Sequence, residues 1–282
     1  METKPFPGTG TRLSTIGQGT WRMGESPRQR DAEIAALRLG LDLGLTHIDT
    51  AEMYGRGGAE EVAAEAIRGR RRDDVFLASK VLPENASRKG TIAACEASLR
   101  RLGVDHLDLY MIHWAGRHAI ADTMRAMEDL VAAGKVRFVG VSNFDVEELT
   151  QAVGALGRER MASNQVLYNL AHRGIELDLI PFCREHDIAV VGYTPFGGLP
   201  SRTSRAGKVL ESIAKAHGRS AEQVVLRFLT RDPIAFAIPK AVRDEHVRAN
   251  ATALDFELTR EDLARIDDAF PPPPRPVPLA TG

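Results

Sequence analysis

The sequence predicts an α/β fold of one kind, a closed (β/α)8 barrel of the TIM type with an N-terminal β-hairpin and an extra C-terminal helix. Three observations predict it. Short apolar runs alternate with longer runs of helical periodicity, as in repeated βαβ units around a parallel sheet. The alternation counts to eight. The 282 residues carry no linker or composition break and suit one barrel, a fold of about 250 residues. Residues 1–282 therefore read as a single domain with a proline-rich tail at 271–282.

The stretch Lys4 to Leu13, broken by Pro and Gly, predicts the hairpin. The first barrel strand falls at Thr15 to Gly17 and ends in Gly17-Gln18-Gly19-Thr20-Trp21. A helix from Pro27 to Leu43 puts Ile34, Leu37 and Leu41 on one stripe. The second strand, Thr46 to Ile48, runs into Asp49, with Tyr54 in the loop beyond, and a helix from Ala59 to Ile67 follows. The third strand, Val75 to Ser79, delivers Lys80; after it Ile92, Cys95, Leu99 and Leu102 recur at helical spacing. The fourth, Leu107 to Ile112, delivers His113, and Ile120, Met124, Met127 and Val131 form the next stripe. Gly134 stops that helix.

The fifth strand, Val136 to Val141, leads to Ser142-Asn143, and Asp145 with Glu148 reads as a capping box. The sixth, Ala162 to Val166, precedes one helix carrying Ile175, Leu179 and Phe182. The seventh is Ala189 to Tyr193. Helices at Lys208 to His217 and Ala221 to Arg231 follow it, the second capped by Ser220 and Gln223. The eighth strand, Ile234 to Ile238, leads to a helix from Asp244 to Ala253. Thr259 then opens the extra helix, Arg260 to Phe270. Pro271 to Pro278 predicts polyproline II, read as a tail lying loosely over the barrel rim in preference to an SH3-type ligand.

Composition narrows the function. A formal net charge of −1 offers no general attraction for nucleic acid or an anionic membrane. No apolar run approaches the roughly 20 residues of a membrane span, and Met1-Glu2-Thr3-Lys4-Pro5 lacks the order of a signal peptide. Cys95 and Cys183 fall on apolar helix faces and read as buried free thiols, so a cytoplasmic protein is expected. His106 and His113 lack a completing ligand set, so no metal is expected. No GxGxxG fingerprint follows a strand.

Active sites of such barrels lie at the C-terminal ends of the strands. Asp49, Lys80 and His113 stand at three successive ends, with Tyr54 close by. A phenol with a pKa near 10 donates protons poorly at neutral pH. A neighbouring ammonium favours the phenolate, and a carboxylate behind it holds the ammonium. Tyr54 as general acid, Lys80 as its tuner, Asp49 as the partner of Lys80 and His113 as a hydrogen-bonding guide form one coherent set. The set suits carbonyl reduction, in which oxygen gains a proton as carbon gains a hydride. Singly, each residue has a plain structural explanation: a loop cap, a wedged aromatic, a surface cation, a core histidine. Four on neighbouring strands are harder to explain that way. Lys80 alone would also serve a Schiff-base lyase or aldolase.

An ordered series of short motifs now carries a resemblance. Gly17-Gln18-Gly19-Thr20-Trp21, Asp49-Thr50-Ala51, Tyr54-Gly55, Ser79-Lys80 and His113-Trp114 come first. Gly140-Val141-Ser142-Asn143, Asn164-Gln165, Tyr193-Thr194-Pro195-Phe196-Gly197 and Ile238-Pro239-Lys240 follow. The series resembles the aldo-keto reductases from about Gly17 to Phe270, in particular bacterial reductases of the methylglyoxal and 2,5-diketo-gluconate type.

The resemblance implies a catalytic tetrad of Asp49, Tyr54, Lys80 and His113 and NADPH as hydride donor, NADH being the alternative. It implies that Ser142, Asn143 and Gln165 hold the nicotinamide carboxamide and that Tyr193 stacks on the ring. Pro195, Phe196 and Gly197 would approach the pyrophosphate. It implies further cofactor contacts at Gly19, Thr20, Trp21, Asp49 and Ile238. Lys240, with Arg243, His246 and Asn250, would meet the adenosine-ribose phosphate near a helix N-terminus. Here the chain departs from the family: Ala241 replaces a hydroxyl residue, His246 an arginine and Ala249 a glutamate, which weakens the expectation of strict NADPH selection. Trp21, Met53, Tyr54, His113 and Trp114 would line the substrate mouth. Short rim stretches at Ala115 to Ala119 and Gly198 to Ala206 predict an open, shallow pocket for small aldehydes, ketones or dicarbonyls. A monomer without nucleic-acid or membrane partners is expected. A non-catalytic, NADPH-sensing binding subunit is the other rival.

Overall fold

A computed structural model describes residues 2–282. β1 (Thr3–Phe6) and β2 (Thr11–Ser14) pair antiparallel as the hairpin. Eight parallel strands follow: β3 (Gln18–Gly19), β4 (His47–Asp49), β5 (Phe76–Val81), β6 (Leu107–Ile112), β7 (Val136–Ser142), β8 (Met161–Leu167), β9 (Ala189–Tyr193) and β10 (Ala235–Ala237). Their order in the sheet is their order in the chain. A parallel bridge between Ile16 and Ala237 joins the last strand to the first, with Gly17 N–H donating to the Ala237 carbonyl at 2.8 Å. The sheet is therefore closed, and the predicted (β/α)8 barrel stands.

One helix follows each of the first six barrel strands: α1 (Arg30–Asp42), α2 (Gly58–Ile67), α3 (Arg88–Leu102), α4 (Ile120–Ala132), α5 (Val146–Ala155) and α6 (Leu179–Glu185). Two, α7 (Arg205–His217) and α8 (Ala221–Leu229), separate β9 from β10. After β10 come α9 (Asp244–Ala251) and the extra helix α10 (Arg260–Ala269). The capping boxes Asp145–Glu148 and Ser220–Gln223 are both formed, and Thr259 with Asp262 makes a third.

Strand side chains alternate between two faces. Along β5, Leu77 and Val81 join the layer beneath the helices, while Phe76 and Ala78 join an interior cluster. The hairpin supplies Phe6 and Leu13 to that interior. Phe6 packs edge-on between Phe76 and Phe236, at centroid distances of 5.4 and 5.2 Å. Lys4 Nζ donates to the carbonyls of Thr230, Asp232 and Ala235. The hairpin thus plugs the barrel at the N-terminal ends of the strands and leaves the rim at their C-terminal ends open.

Three local expectations need correction. The first barrel strand is Gln18–Gly19 and not Thr15 to Gly17. Thr15 to Gly17 bonds to β10, whereas Gln18 and Gly19 also pair with β4, so the run gains its second neighbour only at Gln18. The helix after β8 is a 3-10 turn at Gly174–Glu176 followed by α6. Asp178 caps α6 through Leu179 N–H, and Pro181 falls in the first turn, where its missing N–H costs nothing. Lastly, Pro27 lies outside α1, which begins at Arg30. Cys95 and Cys183 are buried free thiols, each pushed up to about 12 by burial.

Candidate active site

β4 ends at Asp49, and the chain rises to Tyr54, which opens a 3-10 turn, Tyr54–Gly57. Gly55, Arg56 and Gly57 are all left-handed, at φ 57°, 54° and 93°, which folds Tyr54 back over the barrel mouth. Lys80 does not follow β5 as expected. It lies inside that strand, one residue before its end, and so sits deeper, beneath the phenol. His113 comes directly after β6.

The four groups meet. Lys80, fully buried, points Nζ at Asp49 Oδ1 at 2.5 Å, the Thr50 carbonyl at 3.0 Å and Tyr54 Oη at 3.5 Å. An ammonium has three donors, and all three are directed here. The Tyr54 and His113 rings meet edge-on at 5.6 Å, and Trp21, about half exposed, stands edge-on to Tyr54 at 5.2 Å. His113 in turn packs against Trp114.

Burial decides the electrostatics more than the sequence suggests. The Tyr54 phenol is held above its ordinary value: desolvation raises it, and Lys80 offsets only part of that rise. Desolvation pulls the Lys80 ammonium down, but Asp49 first and Tyr54 second more than compensate, so its pKa is raised. The His113 ring is lowered to about 3 by burial and by Lys80, and its Nδ1 is buried without a partner. His113 is therefore neutral at physiological pH. Gln165 Nε2 donates to Asp49 Oδ2 at 2.7 Å, a contact across 116 residues.

A cavity of about 480 Å³ opens above these groups. Gly19, Thr20, Trp21, Asp49 and Met53 border one side. Thr20 Oγ1 donates to the Asp49 carbonyl, tying that side to β4. Tyr54, His113 and Trp114 form the next wall, and Ser142, Asn143 and Gln165 the next. Asn143 is left-handed (φ 58°); its Nδ2 donates to the His113 carbonyl and Ser142 Oγ, so it does not serve helix entry, which Asp145 handles. Tyr193 stands opposite and donates from Oη to Asn143 Oδ1 at 2.8 Å. Pro195, Phe196, Gly197, Ile238 and Lys240 complete the lining. Arg243 and His246, both exposed at the start of α9, lie outside this cavity, and Asn250 lines a separate small void beside Gly17 and Gln18.

Two lining residues had not been singled out. Thr194 holds φ 53°, a left-handed conformation that a β-branched residue rarely adopts, in the loop that carries Tyr193. Gly282 donates its N–H to Tyr193 Oη at 3.0 Å. The tail is thus not loose: it crosses Gly174, lodges Leu279 against the core and ends at the cavity. Among the described residues, no group of three His, Cys, Asp or Glu side chains could hold a metal ion, and no helix is long and apolar enough to cross a membrane.

Comparison with known proteins identifies the family. The sequence profile of the aldo/keto reductase family matches residues 15–270. Methylglyoxal reductase YeaE of Escherichia coli (strain K12) is 48% identical over 263 residues, covering 93% of this chain and 92% of that protein. A crystal structure of an aldo/keto reductase from Klebsiella pneumoniae in complex with NADP and acetate superposes with a TM-score of 0.93 at 46% identity, covering all of both chains. Another from the same organism, in complex with NADPH, does so at 47% identity with the same score and coverage. By profile, sequence and structure alike, the chain belongs to the aldo/keto reductase family.

Proposed function

We propose that this protein reduces small aldehydes, ketones or dicarbonyls of the methylglyoxal kind to alcohols, with NADPH as hydride donor and Tyr54 as proton donor. The observation that carries the reading is the Asp49–Lys80–Tyr54 chain of contacts at 2.5 and 3.5 Å, with a neutral His113 beside it. The cavity chemistry fits the cofactor. Tyr193 offers an aromatic face, Asn143, Gln165 and Ser142 offer amide and hydroxyl groups suited to a carboxamide, and Lys240 offers a cation for phosphate. NADPH, when bound there, would supply the hydride that the carbonyl carbon accepts. Tyr54 gives its hydroxyl proton to the carbonyl oxygen as negative charge grows there. Lys80 stabilises the phenolate left behind, and Asp49, held by Gln165, keeps Lys80 in place. His113, uncharged, can donate a hydrogen bond to the carbonyl oxygen and orient it without supplying a proton.

Lyase chemistry through Lys80 is disfavoured by the same contacts. A Schiff base needs a free amine, and this one is fully buried, held as ammonium by Asp49 and directed to three acceptors. The short rim stretches at Ala115 to Ala119 and Gly198 to Ala206, together with the half-exposed Trp21, favour small substrates. Arg243 and His246 lie beside the N-terminus of α9 and are proposed to reach the outer phosphate of the cofactor.

The test is Tyr54→Phe. It should lower turnover of methylglyoxal by about 100-fold or more while NADPH binding, followed by fluorescence quenching, is kept. Unchanged turnover would remove Tyr54 from the reaction. Tight NADPH binding by the parent protein, with no reduction across an aldehyde panel, would favour the cofactor-sensing alternative.

A further inference from the structure

One buried carboxylate next to the site has no part in this chemistry. Glu60, in the first turn of α2, is wholly buried. Its Oε1 accepts from Ser79 Oγ at 2.6 Å, and its Oε2 accepts from Arg101 Nε of α3 at 2.5 Å. An acidic side chain in a first turn is usually a solvated partner of the helix dipole. A carboxylate taken fully out of water needs a charged partner and further hydrogen bonds, and Glu60 has both.

What those partners hold gives the contact its meaning. Ser79 immediately precedes Lys80 on β5, and alternation turns Ser79 toward the helices as Lys80 turns inward. The Cδ and Nε atoms of Arg101 lie 2.6 and 2.7 Å from where a β-carbon on Gly57 would stand. Gly57 closes the left-handed turn that Tyr54 opens. Arg56 in that turn is left-handed without being glycine, a conformation that persists only where its surroundings enforce it. On the far flank, the Gly24 carbonyl lies against the Gly58 backbone.

We propose that Glu60 is a positioning residue for the proton donor. With Ser79 and Arg101 it binds the Tyr54 turn and α2 to the strand that carries Lys80, and so sets the 3.5 Å separation of Tyr54 Oη and Lys80 Nζ. The inference rests on the Tyr54–Lys80 reading above. Attraction between ammonium and phenolate weakens with distance, so slack in this tie makes the phenol harder to ionise.

Ser79→Ala and Glu60→Gln, each in the full chain, test it. Ser79→Ala keeps the Glu60–Arg101 pair and should fold, so it decides the matter even where Glu60→Gln does not. Turnover should fall by about ten- to a hundredfold, as for a small misplacement of reacting groups, with NADPH affinity unchanged. Ionisation of Tyr54, read as difference absorbance against Tyr54→Phe, should move to higher pH. Variants that lose thermal stability but keep both turnover and the Tyr54 titration would overturn the proposal. Should the parent protein reduce no carbonyl, the functional reading fails, while the titration still decides whether Glu60 positions Tyr54.

Discussion

Replacing Lys80 with Met separates what its charge does for the reaction from what it does for the fold. Its Nζ stands 3.5 Å from Tyr54 Oη. At an effective dielectric of about 20, an ammonium and a full phenolate at that distance attract by about 5 kcal/mol. A phenol half-way through losing its proton carries about half of that charge, so Lys80→Met raises the barrier by about 2.4 kcal/mol, roughly a 50-fold loss of turnover. The same change strands Asp49, 1% exposed, with Gln165 as its remaining side-chain partner. An uncompensated buried charge costs about 3–5 kcal/mol, and at about 2 °C per kcal/mol for a chain of this size Tm should fall by about 6–10 °C.

Adding Asp49→Asn removes the stranded charge and keeps the shape. The double variant should recover most of the lost Tm in a thermal melt. Its turnover, followed as loss of nicotinamide absorbance with methylglyoxal, should stay at the Lys80→Met level. Recovery of turnover along with Tm would mean that Lys80 acts only through stability. Turnover of Lys80→Met equal to that of the parent would end the account of Tyr54 as a cation-assisted acid.

His47 makes stability depend on pH. Both its ring nitrogens are buried without partners, and burial first, with help from Lys80, lowers it to about 4 from 6.5, while Asp49 opposes. As pH falls the unfolded chain takes up this proton first, so the contribution is fully present above about 6.5 and lost toward about 4. That amounts to about 2 kcal/mol at about pH 5. His47→Gln should show a smaller drop in Tm between neutral pH and pH ~5, His113 still acting in the same sense down to about 3; an unchanged drop would clear His47. Phe6→Ala empties the plug between Phe76 and Phe236 and should cost about 3–5 kcal/mol in urea unfolding. KM should not move, because the hairpin lies at the opposite end from the cavity; a raised KM would show that the two ends are coupled.

What could be read from the sequence is what local chemistry writes there. β6 and β9 match their predicted bounds because each is a short, mostly apolar run, and the boxes at Asp145 and Ser220 need only a four-residue pattern. The first barrel strand was misplaced because its bounds depend on which neighbour each residue meets. Gln18 reaches across to donate to the Leu37 and Leu45 carbonyls, which no local pattern announces. At the site, strand-end logic found Asp49, Lys80 and His113. It had no access to the Gln165–Asp49 contact or the approach of Gly282 to Tyr193, both set by distant packing. Glu60 sits in an Ala59-Glu60-Glu61 run that looks like any solvated helix start. The phenol was expected to be acidified by Lys80, but desolvation by burial outweighs one cation.

That last difference bears on why the barrel carries a buried ion pair at all. An ion pair shut away from water is often no more stabilising than apolar side chains of the same size, so Lys80 and Asp49 are poor candidates for holding the fold together. The interior below them holds apolar side chains, among them Phe6, Phe76, Leu109 and Phe236. Between the two zones stands His47, uncharged and edge-on to Phe76. Stability is thus supplied from below and from the helix layer, and the end of the interior above His47 is free to hold a buried ion pair. Fully buried, the cation is only weakly screened by solvent, and its direction is fixed by two parallel strands whose pairing places Asp49 beside Ala78. On the proposed reading, a phenol whose pKa is raised by burial stays protonated until charge develops next to it, and the Lys80 ammonium, 3.5 Å away, is already in position to respond. On that reading, the same burial that makes Tyr54 a weak acid at rest strengthens the pull of Lys80 at the moment of transfer.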